Sequence, residues 1–115
     1  SSQARKDGVK IITDWALANY GADKTTKPVI LLGDMNCIPA EATITEFKKN
    51  WTMVSAKEPT FPSKNTCIDY IFVLNNGAEY EVGASHAVPS NPAADVTKAS
   101  DHYAIYCDLT FKAQN

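Results

Sequence analysis

Between Arg5 and Tyr20 the apolar residues Val9, Ile12, Ala16 and Tyr20 recur at the spacing of one helix face. Ile11 and Trp15 widen that stripe, and Gly21 follows as a stop, which predicts an amphipathic helix packed on an apolar surface. A polar connector from Asp23 to Lys27 follows, and the pattern then changes. Pro28 opens Val29-Ile30-Leu31-Leu32, an unalternated run that predicts a strand covered on both faces. Thr43-Ile44-Thr45-Glu46 has the form of a capping box, with Ile44 and Phe47 three residues apart, and predicts a short helix from about Thr43 to Asn50. Trp51 to Val54 reads as another short strand.

The second half has strand texture. Pro59-Thr60-Phe61-Pro62-Ser63-Lys64-Asn65 is a proline-bracketed connector with room only for brief strand structure. After it, Ile68, Tyr70, Phe72 and Leu74 share one face of a strand and Asp69, Ile71 and Val73 the other, so both faces are expected to be buried. Asn75-Asn76-Gly77 is a turn signal, Tyr80 to Val88 has mixed strand character, and Pro89 to Ala99 is a loop rich in Pro, Ala, Ser and Asn. Tyr103, Ile105, Cys107, Leu109 and Phe111 alternate with Ala104, Tyr106, Asp108 and Thr110 in a closing strand. Helix, strand, short helix and then several strands close in sequence make an α/β chain with antiparallel hairpins in its second half. A parallel doubly wound sheet fits this order badly.

Composition narrows the class. The 115 residues amount to one domain or less, and 44% apolar with 21% charged residues excludes disordered and fibrous designs. No apolar run approaches the roughly 20 residues of a transmembrane helix, and the first residues lack the basic-then-apolar pattern of a signal peptide. A net charge of −2 provides no basic footprint for nucleic acid, so a phosphate-bearing substrate would be met locally or through a cation. The cysteines Cys37, Cys67 and Cys107 have no CxxC spacing and read as small buried hydrophobes, with a Cys37–Cys67 disulfide open in an oxidising compartment.

Three short motifs place chemistry at strand ends. Asp34 and Asn36 follow the buried Val-Ile-Leu-Leu run; they either face a cleft, as a carboxylate for a cation or water and an amide for a phosphoryl oxygen, or form an Asx turn that ends the strand. Asp69 stands among Ile68, Tyr70, Ile71, Phe72 and Val73, where a carboxylate needs a partner, either backbone or an imidazole. His102 is the available imidazole, and a carboxylate behind it would fix its tautomer and raise its basicity. His86 has no adjoining motif and reads as structural. Asp101 adds a second acid near Asp34, and an acidic, oxygen-rich site calls for Mg²⁺, Mn²⁺ or Ca²⁺ over zinc.

Leu32-Gly33-Asp34-Met35-Asn36, then Thr60-Phe61 with Ile68-Asp69-Tyr70-Ile71-Phe72, then Ser100-Asp101-His102-Tyr103, resemble in order and spacing the carboxyl-terminal half of the endonuclease/exonuclease/phosphatase superfamily. The resemblance implies half of a four-layer α/β/β/α sandwich, a mostly antiparallel mixed sheet with covering helices, and hydrolysis of a phosphoester by an activated water. It implies Mg²⁺ (or Mn²⁺) as cofactor, with Asp101, Asp34 and Asn36 toward the metal. It implies that Asp34 orients or deprotonates the water, Asn36 steadies the phosphoryl group, and His102, oriented by Asp69, does acid/base chemistry at the phosphate. The base is left open between Asp34 and His102.

The family domain is roughly twice this length, and no segment here matches its amino-terminal metal-binding Glu: Glu41, Glu46, Glu58, Glu79 and Glu81 stand in other contexts. The expectation is therefore a carboxyl-terminal piece, one sheet with its helices, nearly inactive alone. Its expected partners are a phosphate-ester substrate, whether nucleic acid, phospholipid or sugar phosphate, and the missing half or a second copy against a bare sheet face. A non-catalytic binding module that keeps the fold is the competing reading. A flavodoxin-like receiver with Asp34 as phosphoacceptor is a third, disfavoured by the hairpins.

Overall fold

The computed structural model describes residues 1–112. Helix α1 (Ser2–Tyr20) is followed by strand β1 (Ile30–Asp34), helix α2 (Ala42–Phe47), strands β2 (Trp51–Met53), β3 (Asp69–Leu74) and β4 (Tyr80–Val88), the one-turn helix α3 (Val96–Ala99) and strand β5 (Ala104–Phe111). Helix α1 starts earlier than its apolar pattern because the Ser1 side chain accepts from the Ala4 N–H, a hydroxyl N-cap. Helix α2 ends earlier, and its N-cap is Glu41 with no side-chain hydrogen bond to the helix, so the capping-box expectation fails. None of the helices among the described residues is long and apolar enough to cross a membrane.

Strands β1 and β2 both pair antiparallel with β3, in the order β1-β3-β2. Strands β4 and β5 form a separate antiparallel ribbon, with a register shift between Val82 and Ser85. The expected single mixed sheet is thus two antiparallel sheets, because β3 is apolar on both faces and each face needs its own cover. On one face Tyr70, Phe72 and Leu74 join Val9 and Ala16 of α1, Ile44 and Phe47 of α2, and Trp51 in one core. Ile71 and Val73 on the other face pack with Val54 under Tyr80, Ile105, Cys107 and Leu109 of the ribbon. The alternation read for β5 holds, since its odd-numbered residues are the less exposed ones.

Two expectations about apolar cover need correction. On α1 the buried residues are Val9, Thr13 and Ala16, whereas Ile11 and Trp15 face outward, 71% and 54% exposed. Thr13 belongs inside because its hydroxyl accepts from the Trp51 indole N–H at 2.9 Å. Strand β1 is covered on one face only. Leu31 packs toward the helices, while Ile30 and Leu32, opposite Val73 and Ile71 in the ladder, lie 44% and 66% exposed beyond the reach of the ribbon. Asn76 closes the frame: it is buried, and its amide nitrogen donates to the carbonyls of Tyr20 and Lys27, tying the turn after β3 to the end of α1 and the approach to β1.

Candidate active site

The β1–β3 register sets Asp34 directly opposite Asp69. Cross-strand partners share a face, so both carboxylates lie on the face of Leu32 and Ile71, away from the helices. The backbone around Asp34 explains its neighbours. Gly33 has φ +151°, a conformation that side-chain-bearing residues rarely adopt, and Asn36 has φ +53°, in the left-handed region that asparagine tolerates. The Asn36 N–H donates to Asp34 Oδ1 at 2.8 Å, so the Asx-turn reading is correct as far as it goes. That bond engages one carboxylate oxygen and leaves Oδ2 for the site.

Asp69 is held from behind. The buried Thr60 hydroxyl donates to Asp69 Oδ2 at 2.6 Å and accepts from the N–H groups of Ile68 and Asp69 at 3.1 and 3.2 Å. His102 Nδ1 lies 2.8 Å from the same Oδ2, and His102 Nε2 lies 3.7 Å from Asp34 Oδ2. With Nδ1–H donating to Asp69, Nε2 is the nitrogen that faces Asp34. The Asp69 hydrogen bond raises the His102 pKa above its ordinary 6.5, with the charges of Asp69, Asp34 and Asp101 adding to it and partial burial opposing it. The loop is fixed on both sides of the ring: the His102 N–H donates to Ser100 Oγ at 3.0 Å, the Tyr103 N–H donates to the Thr60 carbonyl at 2.7 Å, and Phe61 lies against the imidazole with ring centroids 5.0 Å apart.

Of the five residues expected in the site, Asp34, Asp69 and His102 converge, with donor atoms all within 4.8 Å of one another. Asp101 is exposed and outside that group, and acts on it through its charge on His102. Asn36 is exposed on its turn. His86 lies elsewhere, 2.9 Å from Glu58, whose other oxygen accepts from the Ala87 N–H, so this pair anchors the connector to the ribbon. All three cysteines are free, with Cys37 and Cys67 buried and their thiol pKa values pushed up by that burial. The Tyr70 hydroxyl lies 2.6 Å from the Cys37 carbonyl and 3.1 Å from that of Cys67, tying the loop after β1 to the approach to β3. Thr60 and Tyr70 were legible only as part of a motif, because their roles are contacts across the fold.

The donor set fits a hard divalent cation in part. Asp69 Oδ2 is engaged by Thr60 and His102, while Asp34 Oδ2 and His102 Nε2 lie 3.7 Å apart and the charge of Asp101 acts on the imidazole. The charge suits such an ion, but these atoms alone do not complete the six-ligand shell it prefers.

The sequence profile of the Endonuclease/Exonuclease/phosphatase family matches residues 8–102. No curated protein matches the chain. Among solved structures, a functionally unknown conserved protein from Enterococcus faecalis V583 has the same fold, with a TM-score of 0.72 at 18% identity. The match covers 97% of this chain and 46% of that one, so the chain spans less than half the length of its structural neighbour. With its profile match running from α1 to His102 of the cluster, the chain belongs to the endonuclease/exonuclease/phosphatase family, whose members are generally hydrolytic and typically depend on a divalent metal.

Proposed function

We propose that this chain is the catalytic carboxyl-terminal portion of a metal-dependent phosphoesterase domain that cleaves a phosphate ester with an activated water. The observation that carries the reading is the linked Asp69, His102 and Asp34, with spacings of 2.8 and 3.7 Å. A carboxylate, an imidazole and a second carboxylate with one free oxygen are what proton movement around a phosphoryl group needs.

Asp69, held by Thr60, keeps Nδ1–H of His102 pointed inward, and Nε2 then meets the substrate. The neighbouring carboxylates favour the imidazolium, which suits His102 as the proton donor to the leaving oxygen. Asp34 Oδ2 is left as the acceptor for a proton from water, and the Asn36 amide donates to a phosphoryl oxygen. Asp34, Asn36 and Asp101 would hold Mg²⁺ or Mn²⁺, which supplies charge neutralisation at the phosphate and a more acidic water.

Two measurements on the same material test this. Calorimetric titration with Mn²⁺ is expected to show weak binding that Asp34→Ala removes. Hydrolysis of bis(p-nitrophenyl) phosphate is expected to be slow for the chain alone, to rise when an amino-terminal half of the family domain is supplied in trans, and to fall about a hundredfold or more in His102→Ala. Absence of both metal binding and hydrolysis in either setting would establish the non-catalytic module instead.

A further inference from the structure

The two sheets that share the site are joined along one seam. The three-stranded sheet carries Asp34 and Asp69, whereas His102 stands just before β5 of the ribbon, so the cluster closes only where the sheets meet. Their apolar contact, Ile71 and Val73 against Ile105, Cys107 and Leu109, is non-directional and does not by itself fix how far one sheet slides over the other. Directional hydrogen bonds from the connector after β2 supply that. The Cys107 thiol donates to the Val54 carbonyl at 3.2 Å, and the Ala56 N–H donates to Ser85 Oγ at 2.8 Å, whose own proton goes to the Tyr106 carbonyl at 2.8 Å. Glu58 spans two residues of β4: one carboxylate oxygen lies 2.9 Å from His86 Nδ1 and the other accepts from the Ala87 N–H at 2.9 Å. The Thr60 carbonyl then accepts from the Tyr103 N–H at 2.7 Å, one residue past His102. Val54, Ala56, Glu58 and Thr60, alternate residues of the connector, are thus each tied to the ribbon, and the Thr60 hydroxyl ties the last of them to Asp69.

We propose that Glu58 is a positioning residue, whose two hydrogen bonds to β4 lock the end of the ribbon where it brings His102 onto Asp69 and toward Asp34. The effect on turnover rests on the phosphoesterase reading; the seam itself does not. Near the site the ribbon end is held at two points, by Glu58 on β4 and by Thr60 on the residue after His102. Thr60 alone would be a pivot, because one hydrogen bond fixes a distance and leaves rotation about it free. Glu58 adds the second point on the neighbouring strand. Strands β4 and β5 are paired there, Ala87 opposite Ile105 and Val88 opposite Ala104, so holding one strand holds both. Glu58 is bonded to β4 and not to Asp34, Asp69 or His102, so its influence on them passes through the position of the ribbon. A tilt of the ribbon end would change the 2.8 Å bond from His102 to Asp69 and the 3.7 Å spacing to Asp34 together, since both cross from one sheet to the other.

Amide hydrogen exchange and proton NMR on the metal-free chain, followed by hydrolysis of bis(p-nitrophenyl) phosphate with Mn²⁺, test this. In Glu58→Ala the Tyr103 N–H is expected to exchange about tenfold faster or more, while the Phe72 and Val73 amides of the middle strand keep their protection. The downfield Nδ1 proton of His102 is expected to broaden or vanish in the same variant. A chain that is merely less stable would lose protection at Phe72 and Val73 as well. Turnover is expected to fall about tenfold in kcat with KM unchanged, the mark of a displaced reacting group. Glu58→Gln is expected to restore all of these, because its amide oxygen still accepts from Ala87 and its amide nitrogen donates to His86 in the tautomer with Nδ1 as acceptor. His86→Ala, which takes away one of the two bonds from an exposed position, is expected to give smaller changes in the same direction. Unchanged Tyr103 exchange and an unchanged Nδ1 proton in Glu58→Ala overturn the positioning role and leave the phosphoesterase reading intact. A Glu58→Gln chain that behaves like Glu58→Ala overturns it too. The expected exchange and proton changes in a chain that hydrolyses nothing, with or without the amino-terminal half in trans, keep the seam and remove that reading.

Discussion

Thr60 has one hydroxyl proton and two lone pairs, and all three are engaged, one by the Asp69 carboxylate and two by backbone N–H groups. Thr60→Val keeps the shape and removes all three bonds, leaving partly buried N–H groups without this partner and a carboxylate without its neutral donor. Unfolding in urea should show a loss of about 3 kcal/mol, with most of it regained in Thr60→Ser. His102 gives a second prediction at this scale. Its folded pKa lies above 6.5, so in metal-free protein its protonation stabilises the fold fully below the unfolded value and that contribution disappears as pH rises through the raised one. NMR titration of the imidazole should therefore give a midpoint above 6.5, and Asp69→Asn should lower it, because the first cause of the shift is the Asp69 hydrogen bond. An unchanged midpoint in that variant would show that the two side chains do not meet in solution.

Strand β3 organises the rest, since it is the middle strand and carries core on both faces. Phe72 is fully buried, stacked on Phe47 at 4.7 Å and beside Tyr70 at 5.6 Å. Phe72→Ala should cost about 3–5 kcal/mol by chemical denaturation, since helix and sheet cannot close on the cavity without losing their shared packing. This strand was also the most legible element in the sequence, because its two apolar faces and its lone Asp69 each announce a tertiary requirement. The alternation of β5 was legible for the same reason. What the pattern did not show was who covers each face. Four consecutive apolar residues at Val29 to Leu32 look the same whether both faces of the strand are covered or one, and the short ribbon covers β3 without extending over β1. In the site, Asp69 and His102 were legible as a carboxylate in need of a partner and an available imidazole, whereas Asp34 stood open between a cleft residue and an Asx turn. The part of Thr60 depends on a loop closing across nine residues, and a threonine between prolines has no local pattern that says so.

The whole molecule is a slab, 45 × 37 × 20 Å, with a radius of gyration of 15.3 Å. A compact chain of this length comes to roughly 13 Å, so a substantial share of its surface lies on broad faces. On one of those faces Ile30 and Leu32 stand exposed beside Asp34, on the outer strand of the three-stranded sheet, whose unpaired backbone edge is also open. An apolar strip of this kind next to a charged cluster is expected to be covered when the cluster works, by the rest of a family domain or by a second copy of the chain. The 115-residue chain on its own should therefore self-associate, with sedimentation showing a mass that rises with concentration and a fluorescent dye reporting apolar surface at low concentration. Leu32→Glu should return it to a monomer with its fold unchanged, because that side chain touches no core, and an amino-terminal half supplied in trans should displace the second copy from the wild-type chain. A wild-type monomer at every concentration, with no dye bound, would mean that the strip is ordinary surface and that the cluster needs no cover to act.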